Sequence, residues 1–262
     1  MTSDYIKIAL IQTELIWENP QKNRDNFSEK INLIKEQVDL IVLPEMFSTG
    51  FTMHPQENSE TMEGETVKWM QKTAAEKKSA IAGSVVISEG NNYYNRFLFV
   101  HPSGEINFYD KRHLFTLAGE EKVYESGNKK LIVNYMGWKI CPLVCYDLRF
   151  PVWARNVEAY DLLIYVANWP KIRIAAWDTL LKARAIENMC YTIGVNRVGL
   201  DANNYEYNGH SVAYDSLGEQ LVEIPPNQEE TAVFTLDKNH VSKTRNKLGF
   251  LNDRDFFKIE CQ

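Results

Sequence analysis

The chain has 262 residues, 44% hydrophobic and 24% charged, with 29 Lys and Arg against 35 Asp and Glu and a formal net charge of −6. That length favours one α/β domain over 1–262, able to bury a core without disulfide or metal staples, and an aromatic content of 12% argues against wholesale disorder. The acidic balance argues against a nucleic-acid or anionic-membrane partner, because phosphate binding needs clustered Lys and Arg.

Taken in chain order, Tyr5–Gln12 (YIKIALIQ) reads as the first strand, with Asp39–Pro44 and Ala80–Ser88 as the next two. Asn23–Val38 places Phe27, Ile31, Ile34 and Val38 at helical spacing, and Glu65–Lys78 does the same with Val67, Met70 and Ala74. Strand–helix–strand–helix–strand predicts right-handed βαβ units in a partly parallel sheet. Asn92–Val100 and Glu105–Lys111 follow as strands about HPSGE, then Leu131–Tyr135 and Trp138–Val144 as a hairpin about Met136 and Gly137. A helix is expected over Pro151–Tyr160, a buried strand over Asp161–Asn168, and a long helix over Ile174–Tyr191 with Trp177, Leu180, Leu181 and Ala185 inward. Tyr191–Arg197, Ser211–Asp215, Gln220–Ile224 and Ala232–Leu236 complete the strands. No linker, repeat or low-complexity tract divides the chain, so the expectation is two sheets covered by helices.

The four cysteines are Cys141, Cys145, Cys190 and Cys261. Met1–Asp4 is polar, the following apolar run is too short for a leader, and no run reaches the ~18 apolar residues of a membrane span. Reduced thiols in a cytoplasmic protein are therefore expected. A zinc cluster is not, since the five histidines are scattered and Cys141 and Cys145 lack a second pair. Four residues along a strand span roughly 13 Å, too far for a Cys141–Cys145 disulfide. Cys190 reads as a packing residue.

Three reactive side chains stand at or just past the ends of apolar strands: Glu45 in LPEMF, Lys111 in YDKRHLF and Cys145 in LVCYDLRFP. In α/β proteins ligands gather at such ends. Each residue also has a plainer reading, as a solvated loop acid, a surface lysine and a small buried hydrophobe. Together they form a chemical set. A thiol near pKa 8.5 needs a base to become a nucleophile at neutral pH, a carboxylate can take its proton and return it to a leaving amine, and an ammonium can hold an oxyanion. The turn after Cys145 can expose the sulfur and aim the Tyr146 backbone N–H at a reacting carbonyl oxygen. Arg149, two residues after Asp147, is expected to pair with an acid and hold that turn.

These three blocks, in this order and with these separations, resemble the signatures of the nitrilase superfamily of carbon–nitrogen hydrolases, as do ANWP at 167–170 and KARAIENMCY at 182–191. The resemblance implies an α-β-β-α sandwich of two six-stranded mixed sheets, four layers that double on dimerisation, and a Glu45–Lys111–Cys145 triad. It implies no cofactor, a small-molecule amide substrate and a homodimer. A second glutamate after the lysine is also implied, at Glu120 or, one residue on, Glu121. CYDLRFP is similar to the amidase branch, nearest by motif to the ω-amidase group acting on short dicarboxylic monoamides such as 2-oxoglutaramate. Such a substrate needs a cation for its distal carboxylate, for which Arg173 is the candidate. Phe47, Phe115 and Trp169 are expected to wall the pocket, or else simply to pack the core. A deaminated-glutathione amidase, an N-carbamoyl amidase and a nitrilase remain open within the superfamily. Outside it stand a non-catalytic binding protein and a redox thiol enzyme using Cys141 and Cys145.

Overall fold

Central strands buried on both faces build two sheets that share one interior. The computed structural model describes residues 2–259. In chain order the first half runs β1 (Tyr5–Gln12), α1 (Pro20–Leu33), β2 (Leu40–Val42), α2 (Pro55–Asn58), α3 (Glu65–Lys77), β3 (Ala80–Glu89), β4 (Asn92–Val100) and β5 (Ile106–Asp110). The second half runs β6 (Val133–Tyr135), β7 (Trp138–Val144), α4 (Pro151–Ala154), β8 (Leu162–Val166), α5 (Ile174–Asn188), β9 (Tyr191–Val195), β10 (Val198–Leu200), β11 (Glu206–Asn208), β12 (Val212–Tyr214), β13 (Gln220–Glu223), β14 (Glu230–Asp237) and α6 (Lys238–Leu248).

The sheets have the orders β14-β1-β2-β3-β4-β5 and β13-β12-β9-β8-β7-β6, and β10 with β11 forms a separate ribbon. Each six-stranded sheet has three parallel strands at its heart, β1, β2 and β3 in one and β7, β8 and β9 in the other, flanked by antiparallel neighbours. Such strands are covered on both faces, which is why they read as nearly continuous apolar runs. In the first sheet Ile6, Ile8, Leu10, Val42, Ala82, Phe97 and Phe99 face the second sheet. Their alternates Ala9, Ile11, Ile41, Leu43, Ile81 and Leu98 pack against Phe27 and Ile31 of α1 and Val67, Met70 and Ala74 of α3. On the far side α5 presses Trp177, Leu181 and Ala185 onto β9 and β12. That approach depends on Gly194 in β9, where a Cβ would lie 2.3 Å from a Leu181 methyl and 2.6 Å from the Trp177 ring. The expected α-β-β-α sandwich of two mixed sheets is what forms.

Several helix boundaries differ from expectation, α5 ending at Asn188 and α3 at Lys77 among them. Helix α1 starts at Pro20, because Asn19 caps it by accepting from Lys22 N at 3.1 Å, and ends at Leu33, where Ile34 turns extended. The helix expected over Pro151–Tyr160 stops at Ala154. There the Asn156 side chain captures the Tyr160 backbone N–H and C=O, both at 2.9 Å, and closes a loop into β8 in place of further helical turns. Helix α6 lacks an apolar stripe, with only Val241 buried. It is held by its Asp237 cap, by Arg245 donating to the Met189 and Tyr160 carbonyls at 2.8 and 2.6 Å, and by Lys238 against Asp161 at 3.0 Å. Of the cysteines, Cys141 and Cys190 are buried and free, while Cys261 lies outside the described residues. No helix among the described residues is long and apolar enough to cross a membrane.

Candidate active site

The carboxyl ends of β2, β5 and β7 converge at one edge of the sandwich. Strand β5 lies two antiparallel steps from β3, so it runs with β2 and delivers Lys111 to the same edge as Glu45. Strand β7 delivers Cys145 from the facing sheet. Glu45, Lys111 and Glu120 are all fully buried. The Lys111 ammonium donates to Glu45 Oε1 at 2.9 Å and to both oxygens of Glu120 at 3.0 and 2.9 Å. Glu45 Oε2 accepts from the Asn168 backbone N–H at 2.8 Å, and the Asn168 side chain donates to the Glu45 carbonyl at 2.7 Å. Glu120 Oε2 also accepts from Phe115 N at 2.6 Å, which ties down the short turn following Lys111. The two candidates for the second glutamate thus separate cleanly, Glu120 buried against Lys111 and Glu121 exposed.

Cys145 is half-buried and has φ of +44°, a left-handed conformation that L-residues adopt at a cost of about 1–2 kcal/mol. The strain is held by Asp147. Its Oδ2 accepts from Val144 N at 3.0 Å and Tyr109 Oη at 2.8 Å, and its Oδ1 accepts from His113 N at 3.0 Å. His113 Nδ1 also lies 2.8 Å from Oδ1, and its ring stacks on Phe150 at 3.7 Å. Asp147 therefore fastens the loop after Lys111 to the turn after Cys145. The Tyr146 N–H lies in the first turn of the 3₁₀ segment Cys145–Arg149, where a backbone N–H has no intrahelical acceptor. The thiol donates to the Asn168 carbonyl oxygen at 3.9 Å, and the charge of the neighbouring Glu45 carboxylate acts on it.

The electrostatics follow from burying two acids and one base together. Burial, with the charge of Glu45 behind it, pushes the Cys145 thiol well above its usual range, and Lys111 only partly opposes this. The resting sulfur is a thiol beside a base. Burial alone would weaken the Lys111 ammonium, but Glu120 and Glu45 overcome it and raise its pKa. Burial raises Glu120 against the pull of Lys111, and the Glu45 charge adds to the rise.

Cys145 opens into a cavity of about 500 Å³. Phe115, Trp169 and Arg173 line it. The Arg173 guanidinium lies 5.2 Å over the Phe115 ring, and Trp169 Nε1 donates to the Arg173 carbonyl at 2.8 Å. Two expectations fail. Phe47 is fully buried away from the cavity, edge-on to Phe27 at 5.4 Å and beside Trp69 at 5.7 Å, because the left-handed Met46 turns the chain back under α1 and α3. Arg149 forms no ion pair among the described residues. Asp147 is already committed to Val144, Tyr109 and His113, so Arg149 leaves the turn, lies 4.8 Å over the Trp169 ring and lines the cavity. Sequence reasoning also passed over Asn95, whose Nδ2 donates to Glu45 Oε1 at 2.8 Å and lies 3.3 Å from Glu120 Oε1, and it gave Asn168 no role of its own. Their signal was weak, one of two amides in the strand NYYNRFLFV and an amide in ANWP.

A strained thiol beside a buried acid–lysine–acid cluster, set between two helix-covered sheets, defines the class as the nitrilase-type cysteine hydrolases. The chain belongs to the carbon–nitrogen hydrolase family, whose model matches residues 7–246. It is 44% identical over 252 residues to "Omega-amidase YafV" of Yersinia enterocolitica, covering 96% of this chain and 98% of that one. It is 32% identical over 223 residues to "2-oxoglutaramate amidase" of Bacillus subtilis, covering 82% and 85%. The crystal structure of XC1258 from Xanthomonas campestris, a CN-hydrolase superfamily protein with an arsenic adduct in its active site, superposes with a TM-score of 0.95 at 40% identity, covering 98% and 99%.

Proposed function

We propose that this protein is an ω-amidase, releasing ammonia from the terminal amide of short dicarboxylic monoamides such as 2-oxoglutaramate through a thioester on Cys145. The observation that carries the reading is the Cys145 sulfur at one end of a cavity whose wall holds two guanidinium groups, Arg149 and Arg173. The names of the Yersinia and Bacillus relatives accord with it.

In the proposed sequence Glu45 takes the thiol proton as Sγ bonds to the amide carbon, and the carbonyl π electrons move to oxygen. Lys111 Nζ and the Tyr146 N–H stabilise that oxyanion. Glu120 accepts from Lys111 through both oxygens, so one ammonium proton can turn to the oxyanion without stripping Glu120 of its partner. Collapse breaks the carbon–nitrogen bond, and Glu45 returns its proton to the departing ammonia. Water then gives a proton to Glu45 and its oxygen to the thioester carbon, with Glu120 holding the geometry; collapse breaks the carbon–sulfur bond, releases the acid, and Glu45 returns the proton to Sγ. A planar guanidinium suits the distal carboxylate, and two of them suit it better.

Replacing Arg149 or Arg173 by Met should lower kcat/KM for succinamic acid relative to the neutral butyramide by about 10-fold or more, the scale of one hydrogen bond to a charged group. An unchanged ratio in both variants would remove the guanidinium wall from the account. The cavity exceeds what a five-carbon monoamide fills, which favours a longer amide such as deaminated glutathione as the second reading. Ammonia release across monoamides, deaminated glutathione, N-carbamoyl amino acids and nitriles ranks them, and preference for a nitrile would refute the amidase assignment. The same reading places the enzyme in the reducing cytoplasm as a homodimer. Light scattering should then give about twice the chain mass of 30.3 kDa, and a monomeric mass would refute the dimer.

A further inference from the structure

Asn95 occupies an unusual position for a neutral residue. It sits within β4 opposite Val86 and is fully buried. Its Nδ2 donates to Glu45 Oε1 at 2.8 Å and lies 3.3 Å from Glu120 Oε1, while its main-chain carbonyl accepts from Lys111 N at 3.0 Å. One residue therefore touches both buried carboxylates and the backbone of the lysine between them. Its Oδ1 has no hydrogen-bond partner among the described residues. Reversing the amide would turn that oxygen toward two carboxylates and add repulsion, so the donor end must face the acids and the acceptor end goes without a partner. A group that only packed β4 would not be kept at that cost, since an apolar side chain of the same shape would leave nothing unpaired.

We infer that Asn95 is a positioning residue, which acts through Glu45 and Glu120 by holding both carboxylates in register with Lys111 and Cys145. The inference rests on the proposed role of Glu45 as the base. Burial and the nearby Glu45 charge both favour protonating Glu120. Lys111 opposes this from one side and the Asn95 amide from the other, while the remaining titratable groups facing the pair are the Cys145 thiol and the Tyr124 phenol. Neighbouring Arg96 clasps Asp110 at 2.6 and 3.0 Å, so the β4–β5 pairing that sets Asn95 against Lys111 is itself fixed.

The test uses Asn95→Leu, which removes the donor in a similar volume, and Asn95→Asp, which replaces it with a third acid. Ammonia release from succinamic acid is followed from about pH 5 to pH 9. Alkylation of the Cys145 peptide by iodoacetamide is read by mass spectrometry in the same variants and in Glu45→Gln. Both Asn95 variants should lose about 10- to 100-fold in kcat with KM within about threefold of wild type, and the acid limb of kcat/KM should move up by about one pH unit. A merely structural residue would lower the melting temperature and leave that limb where it was. If Asn95→Leu does not fold, Asn95→Asp is decided by the same readings. Wild-type kcat and an unmoved limb in a folded variant, with alkylation slowed in Glu45→Gln, would overturn the role of Asn95 alone. Alkylation unaffected by Glu45→Gln would overturn the catalytic reading beneath it.

Discussion

Cys145→Ala should abolish turnover, with kcat for succinamic acid falling by at least about 10⁴-fold, the scale seen when a nucleophile is removed from a concerted set. Binding should survive, because the arginines and aromatic rings that line the cavity are untouched. The fold should survive as well, since Asp147 and not Cys145 holds the turn. The left-handed backbone at position 145 adds a second signature. Cys145→Gly removes the Cβ that makes φ of +44° costly, and should melt about 2–4 °C above Cys145→Ala while being equally inactive. A Gly variant no more stable than the Ala variant would mean that the turn carries no strain. Activity near wild type in either would remove the thioester.

Lys111→Met should cost both function and stability, and for the same reason. The ammonium bridges Glu45 and Glu120, and all three groups are fully buried. Loss of an oxyanion donor alone is worth about 2.7–4 kcal/mol, or about 10²–10³ in kcat. Breaking a buried pair by removing one partner costs a further ~3–5 kcal/mol of stability, which corresponds to a fall in Tm of about 10 °C in a chain of this size. The loss should depend on pH in a particular direction. Without the ammonium one of the two acids must stay protonated in the folded state, so its pKa there lies above its unfolded value near 4.3. Its contribution is then complete below that unfolded pKa and is lost as pH rises through the folded one. The variant should therefore approach the wild-type melting temperature near about pH 4.5 and fall furthest behind it above pH ~7. A deficit independent of pH would mean that the lysine does not control the charge of the pair.

The parts of this site that can be read from the sequence are those that local chemistry dictates. Glu45, Lys111 and Cys145 each follow an apolar strand directly, and a short block around each marks it, so three separate segments could be named before their convergence was known. The choice between Glu120 and Glu121 needs the turn itself. Only the fold decides which acid swings under Phe115 N to meet Lys111. Asn95 lies 50 residues from Glu45 in the chain and 25 from Glu120, and nothing in NYYNRFLFV sets its amide apart from that of Asn92. Phe47 shows the opposite error. Adjacency to a signature block placed it by the substrate, yet the left-handed Met46 reverses the chain and sends the ring into the core. The expectation that Arg149 pairs with an acid fails because the acid two residues before it, Asp147, already accepts from Val144, Tyr109 and His113. The sheets were legible because doubly covered strands must be continuously apolar. The helix over Pro151–Tyr160 was overextended because Asn156 captures backbone groups that helical periodicity alone would have given to further turns.

The central claim is covalent, and it is tested most directly by stopping the wild-type enzyme in acid during turnover of succinamic acid and mapping the protein by peptide mass spectrometry. The account predicts the substrate's acyl group on the peptide carrying Cys145, lost on treatment with hydroxylamine and absent from Cys145→Ala. An acyl group on any other residue, or continued ammonia release by Cys145→Ala without one, would contradict it.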